Sequence, residues 1–176
     1  MVSGLLLIAM IFFVFAQAAV TRGGGQSAAD AAALAAVREA RDGLHDRFRE
    51  VLEDEEADLA EILDGLGFLS ASACAAAADL AARNNASVTD CAPVAGRAGY
   101  RVTIETRNTV GDSVLPGTSN ATATASAVAV ILPLCRPLPG DERTELDCEE
   151  REWALDPEDP DQLPEPRDLF RIRLED

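Results

Sequence analysis

MVSGLLLIAMIFFVFAQAAVT, residues Met1 to Thr21, holds no charged side chain. Its centre, Leu5, Leu6, Leu7, Ile8, Ala9, Met10, Ile11, Phe12, Phe13, Val14, Phe15 and Ala16, is unbroken hydrocarbon. Twenty helical residues rise ~30 Å, roughly the thickness of a bilayer's apolar layer. The stretch therefore reads as a transmembrane helix over residues 1–21 in contact with membrane lipid. The small residues Gly4, Ala9 and Ala16 would allow close helix contacts. A cleaved secretory signal is the competing reading, since Ala16-Gln17-Ala18 fits a small-x-small cut, but no basic residue precedes the apolar run. With a retained helix, the rest of the chain is expected outside a cell membrane crossed once, at the cell surface.

Beyond Thr21 the chain changes character. It has 176 residues in all and a formal net charge of -16, with 31 acidic residues against 15 basic ones. Every basic residue is Arg, a bias together with abundant Ala that suits a GC-rich bacterial genome. Such a charge repels phosphate backbones, so nucleic acid is not an expected partner. The length leaves room for one modest domain beside the helix.

Cys74, Cys91, Cys135 and Cys148 form an even set, which in an exported acidic domain points to disulfides. Of three connectivities, the local pairs Cys74 with Cys91 and Cys135 with Cys148 are expected, each closing a short loop worth ~3 kcal/mol. Zinc is disfavoured: no CxxC pair occurs, and His45 is the only histidine.

Gly23-Gly24-Gly25 should loosen or break the helix after the apolar run. Beyond it, Val37, Ala40, Leu44, Phe48, Val51, Leu59, Ile62 and Leu66 step by threes and fours, apart from one gap at Glu55, as one stripe on a long amphipathic helix ended by Gly65 and Gly67. Residues 70–83 read as a shorter helix capped by Ser70, with Cys74, Ala78, Leu80 and Ala81 inward and Asn84-Asn85 as its stop. Tyr100, Val102, Ile104 and Thr106 alternate with polar residues, as a half-buried strand does. Asn108 to Ser119 reads as a loop. Ala121 to Leu132 alternates again, its alanine side small enough to admit the amphipathic helix. Phe170, Ile172 and Leu174 alternate with Arg171 and Arg173 as a third strand. Arg136 to Asp168, dense in proline and acid, is expected to be partly disordered or held by Cys135 and Cys148 alone, with Trp153 packing onto the sheet.

Catalytic candidates are sparse. His45 lies among Arg41, Asp42, Asp46 and Arg49 and reads as a solvated surface histidine, not a general base. No Ser-His-Asp grouping can be built without it, and no glycine-rich loop follows a strand to hold phosphate. Asp156, Glu158, Asp159 and Asp161 have calcium-type oxygens, but Pro157 and Pro160 explain the run as an extended linker. Asn85-Ala86-Ser87 and Asn120-Ala121-Thr122 fit a glycosylation pattern common by chance. The chain is expected to be no enzyme and to need no metal or cofactor.

Gln26-Ser27-Ala28-Ala29-Asp30-Ala31-Ala32-Ala33-Leu34-Ala35-Ala36, just after the apolar run, resembles the AADAAALAA signature of Tad (Flp) pilus assembly proteins, in the TadE/TadG-like minor pilin or pseudopilin group of actinobacterial type. Cys74 with Ala75 to Ala78, Ala81 to Ala86, and Cys91 leading into a strand are also similar to that group. The likeness spans about residues 4–130 and omits the acidic tail. Members usually begin with a short basic leader ending in glycine and often have a glutamate soon after it; Met1 to Gly4 has no basic residue, and no acid precedes Asp30.

The resemblance implies a non-enzymatic, membrane-anchored pilus component of pilin-like α+β fold. In it an N-terminal transmembrane helix extends into a long amphipathic helix packed on a small antiparallel β-sheet, with two disulfides. Partners would be other pilus subunits or Tad assembly proteins, in a homo- or hetero-oligomer. The implied organisation is a transmembrane helix (1–21), a glycine hinge and amphipathic helix (22–67), a short helix and antiparallel strands (68–135), and an acidic tail with a terminal strand (136–176). A secreted or tethered binding domain with no filament role is the alternative.

Overall fold

The computed structural model describes residues 2–53, 58–107, 122–138, 141–156, 159 and 162–175, with side chains described for all of these except 2, 3, 7, 11, 13–22 and 141–144. The chain begins with one helix, α1 (Val2–Glu53), of 52 residues. At 1.5 Å per residue it is ~78 Å long. The expected break at Gly23 to Gly25 does not occur: helical hydrogen bonding continues through all three glycines. Each of the three costs a helix about 1 kcal/mol relative to Ala, and the helix already packed along Ala28 to Ala40 carries the run through them.

The transmembrane helix expected over 1–21, and with it single-pass placement in a cell membrane, is corrected. Among the described residues no helix is long and apolar enough to cross a membrane. The physical reason lies in the length of the apolar run. Leu5 to Ala16 are 12 residues, ~18 Å of helix against the ~30 Å of a bilayer core. Gln17 interrupts the run, and Thr21 to Gln26 then bring polar groups, a charge and three glycines.

Two further helices come next, α2 (Leu59–Leu63) and α3 (Ala73–Arg83). The amphipathic stripe is therefore divided. Val37, Ala40, Leu44 and Phe48 are buried on α1, and Leu59 and Ile62 on α2, whereas Leu66 is 56% exposed in the turn beyond. The Asp58 carboxylate accepts from the Ala60 N–H at 2.9 Å and starts α2. Ser72, not Ser70, holds the N-cap position of α3, and its hydroxyl donates to Glu39 of α1 at 2.6 Å. The inward face of α3 is Ala73, Ala77 and Ala81, four apart; Ala78 is exposed, contrary to expectation. Asn84 caps α3, and Asn85 takes a left-handed φ of 54°. The expected stop is thus borne out.

The main sheet is fully antiparallel, in the order β1 (Ala86–Pro93), β2 (Gly99–Thr106), β3 (Thr124–Pro133) and β7 (Phe170–Glu175). Tyr100, Val102, Ile104 and Thr106 of β2 are buried on the face that meets α1. Ala127 and Ala129 of β3 are buried beside them, and Phe170 of β7 is 1% exposed. Both helices lie on this one face, a two-layer α+β arrangement. Small side chains set the layer spacing: Ala28, Ala29, Ala32, Ala33, Ala36 and Ala40 of α1 meet alanines of the sheet and of α3. At the sheet end, a Cβ on Gly25 would lie 3.4 Å from Thr106 Cγ2 and 3.7 Å from Ala123 Cβ. The expected 108–119 loop lies outside the described residues.

Where described, the tail is more ordered than the segment expected, which was partly disordered or held by Cys135 and Cys148 alone. β4 (Cys135–Leu138), β5 (Asp141–Cys148) and β6 (Glu152–Ala154) form a second antiparallel sheet. Leu146 of β5 is fully buried, and its partner across the pair is Trp153. A short helix, α4 (Pro166–Leu169), then feeds β7. Glu165 and Asp168 form a reciprocal capping box at its start, with Pro166 pre-setting the first turn.

Candidate functional site

Two disulfides hold the body, in the local connectivity expected. Cys74 of α3 bonds Cys91 of β1, and Cys135 of β4 bonds Cys148 of β5. The first ties a helix to the sheet that it covers. The second joins residues directly opposite in the register of the tail hairpin. No cysteine is free, so thiol chemistry has no group to use.

The remaining predicted site residues divide. Every described side chain ahead of Gly25 is exposed. Leu5, Leu6, Ile8, Met10 and Phe12 are between 55% and 73% exposed, and a Cβ on Gly4, Gly23 or Gly24 would meet nothing within 4 Å. Gly4 and Ala9 share that exposure. The side chains of Leu7, Ile11, Phe13, Val14, Phe15 and Ala16 lie outside the described residues. Uncovered aliphatic and aromatic groups therefore stand on several sides of α1 among its described residues ahead of Gly25. Single exposed apolar residues need no explanation, but a set of this kind marks a contact surface.

His45 is not the solvated residue expected. It is half-buried, its Nε2 lies 3.0 Å from the Pro164 carbonyl oxygen, and its ring stacks at 6.2 Å on Phe48. As donor to that carbonyl it fastens the tail to α1. Among the described residues no group of three or more His, Cys, Asp or Glu side chains could hold a metal ion. Glu158 and Asp161 of the suggested calcium run lie outside the described residues.

The tail sheet supplies what the sequence reading missed. The Arg151 guanidinium carbon sits 3.4 Å from the Trp153 ring centroid, a cation–π contact. Leu134, Cys148, Arg151, Trp153, Arg167 and Arg171 surround a hollow of about 240 Å³. Arg171 is paired with Glu149, and Arg167 with Glu165 at 2.8 Å. The signal that could have revealed the hairpin is Pro139-Gly140, a turn dipeptide between the two tail cysteines.

No family model, curated protein or solved structure matches this chain.

Proposed function

We propose that this chain is a non-enzymatic component of a Tad/Flp-type pilus, a minor pilin or assembly protein, whose apolar helix end packs among the helices of other pilus subunits. The observation that carries the reading is the set Leu5, Leu6, Ile8, Met10 and Phe12, exposed on a helix continuous with the core of the head. Burying each such side chain is worth roughly 1.5–3 kcal/mol, so the set favours association with other apolar helices. The Ala28 to Ala36 signature supports the same reading through its resemblance to TadE/TadG-like proteins, and it packs on the sheet. The disulfides suit a head that works in an oxidising environment.

A ligand-binding domain without filament role finds less support. The hollows beside the tail sheet, of about 240, 510 and 660 Å³, are open and lined largely by charged side chains, unlike the mostly apolar, enclosing sites that hold small molecules.

The test is Leu6→Glu combined with Ile8→Glu in a host that carries the Tad genes, with immunoblots of sheared filaments. The variant should vanish from the filament fraction while its head keeps both disulfides and the wild-type thermal transition. Wild-type incorporation of the variant would overturn the proposal.

A further inference from the structure

The two faces of the α/β layer carry opposite charge. Strand alternation turns Arg101, Thr103 and Glu105 of β2 away from the helices, together with Val128 and Ser126 of β3 and Arg171, Arg173 and Glu175 of β7. Arg107, whose Nε donates to Ser87 at 2.9 Å, and Arg97, which reaches Glu175 at 2.5 Å, extend the same face. Asp90 on β1, opposite Thr103, and Glu149, paired with Arg171, complete its carboxylates among the described residues. Five arginines there face four acids, in a chain whose net charge is -16. Three of those acids are engaged, Glu175 by Arg97, Glu149 by Arg171 and Glu105 by the Thr122 hydroxyl. Arg101 and Arg173 are exposed and have no carboxylate partner among the described residues. They lie on β2 and β7, on either side of β3, with Val128 and Val130 between them.

The opposite side of the molecule is the outer surface of α1. Asp42, Asp46, Glu50 and Glu53 recur there at helical spacing, all exposed, while Leu44, Phe48 and Leu52 are buried below. Arg49 sits within the row, Arg38 is exposed one turn before it, and Asp42 is paired to Arg41 at 2.8 Å. Asp46, Glu50 and Glu53 make no ion pair among the described residues.

From this geometry we infer that the open arginine-bearing face of the four-stranded sheet docks the acidic outer face of α1 on a second copy of this chain. Charge complementarity selects that occupant: the acidic row matches the arginine face in sign, and both belong to one molecule. Because the two faces point in opposite directions, the contact is heterologous and does not close. Copies would add one on another in an open stack. The inference is independent of the filament reading, which rests on the uncharged end of α1.

The test is sedimentation of the full-length chain at about 10 mM salt, where charges act over roughly 30 Å, and at about 1 M, where they act over roughly 3 Å. Salt-sensitive association is expected, and a salt-independent remainder belongs to the apolar helix end. Arg101→Glu with Arg173→Glu should weaken the salt-sensitive association by about tenfold or more, and so should Asp46→Arg with Glu50→Arg. Mixing the two variants should restore salt-sensitive association, since one contact between them keeps its native charges and the other meets with both signs reversed. No salt-sensitive association in the wild type, or wild-type association by either variant, would overturn the inference. So would a failure of the mixture to associate, which would assign the arginine face to some other acidic partner.

Discussion

A methyl group added at Gly99 would stand 2.5 Å from the Ala129 carbonyl oxygen and 2.9 Å from Val130 Cγ1. Backbone cannot give way as a flexible side chain can, so Gly99→Ala must push β2 from β3 at the centre of the main sheet. It should cost about 3 kcal/mol, at the upper end of overpacking effects. Gly24→Ala is the contrasting case: helical backbone, open space around the added carbon, and an expected gain of about 0.5–1 kcal/mol. Urea unfolding followed by circular dichroism checks both, and equal effects of the two would contradict this account. Neither outcome is legible in the sequence, where both residues are merely glycines next to alternating or helical patterns. His45 is a similar case. Its neighbours in sequence are charged and suggested solvent, but its partner, Pro164, is 119 positions away.

Elements were legible where a single period ran without interruption. The buried Val37, Ala40, Leu44 and Phe48 follow the helical stripe, and the buried β2 side chains follow strict alternation, because burial of one face is what those periods encode. Two kinds of element were not. The reach of α1 across Gly23 to Gly25 was hidden because helix propensity is weak beside the cooperativity of a helix already packed along Ala28 to Ala40. The tail sheet was hidden because proline and acid mimic a linker, while its order rests on one buried leucine, one disulfide and the Arg151–Trp153 contact. Replacing Cys135 and Cys148 by Ser should therefore cost about 3 kcal/mol in that sheet. Trp153, the only tryptophan, should shift its emission to the red at a lower urea concentration than the main transition. Coincident transitions in the variant would mean that the tail sheet does not depend on its bridge.

At the scale of the whole molecule the shape is set by α1. A compact chain of this length has a radius of gyration of about 16 Å, close to what the head alone would show, while a straight helix of 52 residues gives a longest dimension of at least ~78 Å. Small-angle X-ray scattering on dilute full-length protein should show that long dimension; a value of about 50 Å would mean that the helix folds back at its glycines. Both covalent bridges join neighbours, α3 to β1 and β4 to β5, and neither touches α1. A tensile load applied at the far end of α1 therefore passes to the head through close-packed methyl groups and through the backbone beyond Glu53. Grip under tension depends on how tightly alanine rows mesh, and chemical reduction of the bridges leaves that mechanical coupling in place.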